Sequence, residues 1–437
     1  MNNKSVWQDS AVLPQFQSLK GDAKTDVLII GGGICGLLCA YYLKKSGIDC
    51  IVAEGGKIAS GITKNTTAKI TSQHGLVCSN ILNHMDTEKA KMYLKANQNA
   101  LKEYEKLCKN IDCDFEKRDS YIYSVTSKDK IKKEFELAKK LGIDAEIYFN
   151  MELPFKIKAG VKFNNQAQFN PIKFISHIAK DLNIYENTFI KDVKNNVAIS
   201  ENGRIEANKI IVATHFPFIN THGSYFLKMY QHRSYVVAFE NVPTLDGVYC
   251  DEDIRGMSFR SYNALLLVGG GSHRTGKNGG GWDEILKKMK KYYPKAKPCY
   301  MWATQDCMSL DGIPYIGKYS KNTPDMYVAT GFNKWGFTSS MVSAKILCDM
   351  IKDSKNEYEE IFSPQRSIIK PQLFVNGFES AINLISPTAK RCPHLGCALK
   401  WNKYEHSWDC PCHGSRFERD GKLIDNPATK DANCKNS

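Results

Sequence analysis

TDVLIIGGGICGLLCAYYLKKSGIDCIVAE, residues 25–54, decides the fold of the larger part of this chain. Val27 to Ile30 is an unbroken apolar run of the kind buried in a parallel sheet. Gly31, Gly32, Gly33 and Gly36 follow, and the order G-x-G-x-x-G is complete at Gly31, Gly33 and Gly36. Leu37 to Lys45 reads as helix, Gly47 ends it, and Ile51 to Ala53 is a second strand. Glu54 closes that strand eighteen residues after Gly36. A lone glycine triplet is weak, but this one follows a strand, opens a helix and precedes an acidic residue at ribose distance. Glycine lets backbone approach a pyrophosphate, and the helix N-terminus offers amide donors and positive potential. The run from Val27 to Leu43 is short for a membrane span and carries the four glycines, so strand, loop and helix is the better reading.

The far end of the chain carries a second signal. RCPHLGC (391–397) and DCPCHGS (409–415) each pair a cysteine with a histidine: Cys392 with His394, and Cys410 with His413. Two thiolates and two imidazoles in this order match a Rieske 2Fe–2S site, where sulfur holds one iron and nitrogen the other. A structural zinc site also takes two Cys and two His, but its usual pattern puts the cysteines in one half and the histidines in the other. Cys397 and Cys412 stand at matching places in the two strings. They resemble the bridging cysteines of Rieske proteins of the respiratory cytochrome-complex type, and that resemblance implies a disulfide between them.

Between these ends the chain is first helical, then β-rich. Tyr93, Ala96, Ala100, Leu101, Tyr104 and Leu107 follow helical spacing, as do Ile131, Phe135, Ala138 and Leu141, with Gly142 as a C-cap. From about 145 to 270, short β-rich runs suggest a mixed sheet in a substrate domain. IIVAT (210–214) returns to a buried strand, and 326–351 is again strand, glycine loop and helix. LLLVGGGSHRTG (265–276) has Arg274 where a third glycine would fall, so a direct nicotinamide site is not expected. The linker SPQRSIIKPQ (363–372) leads into a short amphipathic stretch, LFVNGFESAINLI.

The net charge is +14, with its densest run at Lys287–Lys297, KKMKKYYPKAK. This reads as a solvated helix face; no recognition motif points to nucleic acid. The N-terminus lacks an apolar signal region. Fifteen cysteines without an export signal point to a reducing, cytoplasmic setting rather than a disulfide scaffold. No transmembrane segment is expected.

Residues 25–352 resemble the FAD-dependent glycine/D-amino-acid oxidase (DAO-type) family. The resemblance rests on the glycine loop with Glu54, then SGITKNTTAKITSQHG (60–75), IIVATH (210–215), DGIPYIG (311–317) and ATGFNKWGFT (329–338). It implies that Ser60, Thr66, Thr67 and Ala68 line the flavin, and that Gly331, Gly336 and Thr338 cap its ring. The fold expected is an α/β FAD-binding Rossmann-like domain, an α+β substrate domain of mixed sheet, and a small β-rich Rieske module at the C-terminus. The divisions are an N-terminal arm at 1–24 and the oxidoreductase at 25–362. Within the latter, nucleotide-binding parts fall near 25–80, 165–216 and 305–352. A linker at 363–386 and a truncated Rieske module at 387–437 complete the chain. Only about twenty residues separate the linker from Cys392, so most of the usual β base is missing. Asn426–Pro427–Ala428 resembles the loop that shields such clusters, and Ser415 a serine that tunes them; Phe417 stands where a tyrosine often sits.

Cofactors implied are FAD and a Rieske 2Fe–2S cluster. A flavin takes two electrons and the cluster takes one. The combination therefore reads as a dehydrogenase for an amine or amino-acid-like substrate, handing single electrons to a carrier protein or quinone. Reverse flow, with electrons entering through the cluster, and a non-enzymatic redox sensor are the alternatives. His74 and His215 read as structural. Many oxidases of the family show a W-x-G-x-R-P-x-T-x-D-x-x-P-x-x-G string, and aligning on Asp311, Pro314 and Gly317 puts Trp302 on the tryptophan and Asp306 on the arginine. A carboxylate there repels a substrate carboxylate by several kcal/mol at ~4 Å in a poorly solvated site. Asp306 therefore predicts a cationic amine, unless a neighbouring lysine or arginine neutralises it.

Overall fold

The computed structural model describes residues 2–388 and 390–434. Its first sheet has at its centre Ala23–Ile30, flanked by parallel Arg204–Val212 and Cys50–Ala53. Thr323–Thr330 and Tyr315–Ser320 extend one side, and Ile184–Tyr185 closes the other. Leu28 and Ile29 are fully buried, as an apolar strand covered on both faces requires. The helix Ile34–Lys45 leaves this strand directly and packs against the helix Gly336–Ile351. Glycine is required at two points of the turn. A Cβ on Gly31, whose φ is +113°, would lie 2.6 Å from the Ala213 carbonyl oxygen; one on Gly36 would lie 2.0 Å from that of Gly31.

The second sheet is mixed. Its order is Lys297–Ser309, Met229–Glu240, Leu265–Arg274, Ser258–Tyr262, Val248–Asp251, Glu116–Ser124, Ala159–Gln168 and Lys69–Ile70, with Ala145–Tyr148 also on Ala159–Gln168. Val248–Asp251 runs parallel to Glu116–Ser124, and the remaining pairs are antiparallel. The stretch predicted to be strand and turn is the strand Leu265–Arg274, and no helix begins until Gly281. That helix, Gly281–Tyr292, buries Ile285 and Met289 and turns its lysines to solvent, as expected of the basic run. The predicted helices are Thr87–Cys108, capped by Asp86, and Lys128–Lys140, capped by Ser127.

Two expectations about the C-terminal part need refinement. The 363–386 stretch is not simply a linker, because Pro371–Ile385 is a helix fastened to the body through Asn376. The Rieske part is a sheet of four short strands, Lys400–Asn402, Ser407–Asp409, Arg416–Phe417 and Leu423–Asp425. It packs directly on the surface of the oxidoreductase, through bonds from Gln231 and Gln305.

The N-terminal arm is also anchored. Trp7 is fully buried and its indole Nε1 donates to the Thr66 carbonyl at 2.7 Å.

Candidate functional site

A cavity of about 1630 Å³ runs from the glycine loop to the edge of the second sheet. Gly31, Gly33, Glu54, Ser60, Thr66, Thr67 and Gly336 line it. Gly32 sits behind them, its amide donating to Glu54 Oε2 at 2.7 Å, while Gly56 N donates to Oε1 at 2.8 Å. Burial raises the Glu54 carboxyl, and these two amides offset part of that. The helix at Ile34 opens toward the cavity from Gly33 without a side-chain cap of its own.

Gly36 makes the close contact between helix and strand. Gly331, with φ +71°, shapes the turn before the last helix. Ala68 and Thr338 are buried and work behind the wall. The Ala68 and Thr67 carbonyls each accept from Arg260 Nη1 at 2.7 Å, and Thr338 Oγ1 donates to the Thr71 carbonyl at 3.1 Å. The wall segment 65–68 is thus pinned by three side chains: Trp7, Arg260 and Trp302, whose Nε1 donates to the Asn65 carbonyl at 3.0 Å. His74 sits with its Nε2 2.9 Å from the Thr71 carbonyl and its ring stacked on Trp335. Burial lowers it to about 4, so it is a neutral donor at working pH.

At the sheet end of the cavity stand Asp306, Lys334, Lys69 and His215. Ser234 Oγ lies 3.4 Å from Asp306 Oδ2 and accepts from Lys334 Nζ at 3.0 Å. Burial raises Asp306, with Lys334, His215 and Arg233 opposing it; burial lowers Lys334, with Asp306 opposing it. Asp306 thus lies in this cavity with Lys334 bonded to the same serine, and each charge favours the other.

The two C-terminal loops are near copies. In each, the glycine four residues after the cysteine donates to the cysteine carbonyl at 2.9 Å: Gly396 to Cys392 and Gly414 to Cys410. Cys392 N donates to Cys397 O and Cys410 N to Ser415 O, both at 2.9 Å. This brings the thiols of Cys392 and Cys410 together, both buried, and the Nδ1 atoms of His394 and His413 to 3.2 Å. The Cys392 thiol lowers Cys410 against the cost of burial, helped by the amides of His413, Cys412 and Gly414. Burial holds His394 at about 4 and His413 at about 3. His394 Nε2 lies 2.9 Å from Asn220 Oδ1, so that nitrogen carries the proton and Nδ1 keeps its lone pair. The two imidazole nitrogens thus face each other, and the two buried thiols face each other, four donors of the kinds that bind metal. The sulfurs of Cys397, Cys410 and Cys412 lie within 4.8 Å of one another, and Cys397 faces Cys412 with Cα atoms 6.7 Å apart.

The sequence matches the family described as FAD dependent oxidoreductase (DAO) over residues 26–350, and the Rieske [2Fe-2S] domain over 380–435. The chain belongs to the DAO family of FAD-dependent oxidoreductases and carries a C-terminal Rieske domain. It is 32% identical to the Bacillus subtilis (strain 168) protein YhfW, whose name describes a Rieske 2Fe-2S iron-sulfur protein, over 98% of this chain and 96% of that one. Thirty-nine residues, 9% of the chain, are 49% identical to 22% of the cytochrome b6-f complex iron-sulfur subunit 1 of Nostoc sp.. In fold it is similar to glycine oxidase from Geobacillus kaustophilus, with a TM-score of 0.67, 18% identity, and coverage of 79% of this chain and 99% of that one. The L-proline dehydrogenase from P. horikoshii gives 0.65 and 17%, with coverage of 79% and 98%.

The DAO-type body and the Rieske module fit their groups. The glycine loop leaves the space a dinucleotide needs, and FAD would be held by Gly31, Gly33 and Glu54, with the 60–67 wall along it. Cys392, Cys410, His394 and His413 would hold the 2Fe–2S cluster. The sequence did not reveal how the two parts meet. His413, 2% exposed, lies between Phe216 and Phe226 of the flavin body. Gln305 Nε2 donates to the Gly414 carbonyl at 2.9 Å and Gln231 Nε2 to that of His413 at 3.1 Å. Gln231 Oε1 in turn lies 3.0 Å from His215 Nε2. Asn426 donates to the Thr214 and Phe216 carbonyls at 2.6 and 2.7 Å. Ser415 Oγ accepts from Ala428 N at 2.9 Å, which ties the 426–428 loop to the second cluster loop. Arg233 of the body pairs with Glu405 of the module. None of Asn220, Gln231, Gln305, Arg233 or Arg260 sits in a motif, so no local signal could have marked them.

Proposed function

We propose that this protein is a dehydrogenase that oxidises an amino-acid-like substrate on FAD and releases the electrons singly, through the Rieske cluster, to a one-electron carrier or quinone. The observation that carries the reading is the orientation of the cluster loops: both ligand histidines are turned into the flavin body, His394 onto Asn220 and His413 between two phenylalanines. The flavin supplies acceptance of two electrons as a hydride, and the cluster supplies transfer of one at a time.

The chain's own residues supply the rest. Asp306 and the lysines Lys334 and Lys69 put both signs of charge at one end of the cavity, which suits a zwitterion better than a simple cation. An ammonium sits at Asp306 and a carboxylate at the lysines. His215 and Gln231 connect that end of the cavity to the backbone of the ligand His413 through two hydrogen bonds. This holds cavity and cluster loops in one rigid frame. Cys397 and Cys412 form a disulfide that clamps the two cluster loops together.

The test is anaerobic. Amino acids and amines are added to protein carrying both groups, and flavin bleaching is followed alongside the Rieske EPR signal. The reading requires the EPR signal to appear after bleaching. Peroxide formed from oxygen with the cluster never reduced would make the protein an ordinary oxidase. Cluster reduction only by an added external donor would reverse the flow.

A further inference from the structure

The helix Pro371–Ile385 lies inside out on the molecule. Its polar side is turned inward: Asn376 and Asn383 are each 3% exposed. Asn376 Oδ1 accepts from Arg274 Nη1 at 3.0 Å, the Asn383 carbonyl accepts from Ala398 N at 2.8 Å, and Glu379 pairs with Lys277 at 2.7 Å. Its apolar side is turned to solvent, with Phe374 70%, Phe378 66% and Ile385 81% exposed and Ile382 between them. At 3.6 residues per turn these four fall within a sector of about 80°. A helix normally buries that stripe. Here the buried asparagines hold it outward.

The strip has the chemistry of a lipid contact. None of the side chains in that sector is polar. The acid on the helix, Glu379, is already paired, while Lys370 precedes the first turn and Arg391 folds under the last, donating to the Leu384, Ser386 and Gly396 carbonyls. With a chain charge of +14, the ionic complement is an anionic surface. A fifteen-residue helix is about 22 Å long, so the strip can lie along a bilayer surface over its whole length. The helix also reaches the cluster loops, through Leu384 beside the strip. A Cβ on Gly396 would lie 3.8 Å from Leu384, and the next residue back, Leu395, is exposed between the ligand His394 and Gly396.

We propose that this face is a membrane-attachment surface. The strip enters the acyl boundary of an anionic bilayer without crossing it, as amphipathic helices do when they lie in the interface. In that pose the first cluster loop, led by Leu395, lies against the lipid. No helix among the described residues is long and apolar enough to span a bilayer. The inference goes beyond the proposed reaction and does not depend on the direction of electron flow.

The experiment uses the full chain loaded with both groups. It is sedimented with vesicles of phosphatidylglycerol and phosphatidylcholine, and with vesicles of phosphatidylcholine alone. Binding should favour the anionic vesicles and weaken with salt, and Phe374→Ser/Phe378→Ser/Ile385→Ser should lower partitioning at least ~10-fold. A separate Phe378→Trp variant guards against misfolding of the triple variant: its emission should shift to the blue on vesicles and be quenched by brominated acyl chains. Absence of binding to either vesicle, binding indifferent to the triple substitution, or a lipid-free dimer dissolved by that substitution would each overturn the proposal. The last outcome would assign the strip to a second copy of the chain.

Discussion

Glu405→Gln isolates what holds the Rieske module on the flavin body. Glu405 bridges two arginines. Arg233, on the body, donates from Nε to Glu405 Oε1 at 3.0 Å, and Arg416, in the module, donates from Nη2 to Oε2 at 2.9 Å. Arg416 keeps Asp409 and Asp425 when Glu405 is neutralised, but Arg233 loses its only ion-pair partner among the described residues. The Arg233 side chain is 3% exposed and that of Glu405 12%. Removing one member of a buried pair costs about 3–5 kcal/mol. Glutamine retains one acceptor, so about 3 kcal/mol is expected, or roughly a 150-fold shift toward undocking. The cost falls on the interface because the pairs internal to the module survive. Hydrogen exchange should therefore accelerate in 214–226 and 402–416 while the two body sheets stay protected. Arg233→Met/Glu405→Leu, which removes both charges, should recover most of the loss. The pH dependence follows from the same pair. Burial pushes Glu405 up, but Arg233 and Arg416 outweigh it and hold it below its ordinary 4.5. A carboxylate lowered in the folded state contributes fully above its ordinary value and loses that contribution as pH falls through the folded one. Docking should thus weaken in acid below about pH 4.5 in the parent and not in the double variant. Unchanged exchange in Glu405→Gln, or a double variant worse than the single, would refute the reasoning.

Cys410→Ser should abolish the Rieske visible and EPR signals while the flavin spectrum persists; zinc without iron in anaerobically prepared parent protein would point to the other Cys2His2 chemistry. Gly31→Ala forces a Cβ to 2.6 Å from the Ala213 carbonyl oxygen at a φ of +113°, so bound flavin per chain, read from absorbance, should fall at least ~10-fold. Asp306→Asn should lower kcat/KM for a substrate bearing an ammonium group by ~10-fold or more, a loss of about 1.4 kcal/mol of transition-state binding. Unchanged kinetics with the true substrate would remove Asp306 from the site.

The glycine loop, its flanking strands and Glu54 were legible because a dinucleotide site is local: strand, turn and helix N-terminus come from thirty consecutive residues. The cluster loops were legible for a similar reason, since each carries its cysteine and histidine within four residues and closes on its own glycine. Helical spacing likewise revealed the Thr87–Cys108 and Lys128–Lys140 helices. Ala68 and Thr338 were assigned to the flavin contact by resemblance, and the structure places them behind the wall, where they fix its carbonyls. What only the tertiary structure decided lies across long sequence separations. Residues 65–68 are held by Trp7, Arg260 and Trp302, and the cluster loops by Asn220, Gln231 and Gln305. Arg233 meets Glu405 across 172 positions. The sequence showed 373–385 to be amphipathic but not which side faced inward. Periodicity gives the stripe, and it is the buried bonds of Asn376 and Asn383 that turn it to the outside. The seat of the Rieske module has the same physical basis: Asn220, Gln231, Gln305, Phe216 and Phe226, which touch its loops, are brought to one place only by the fold of the other domain.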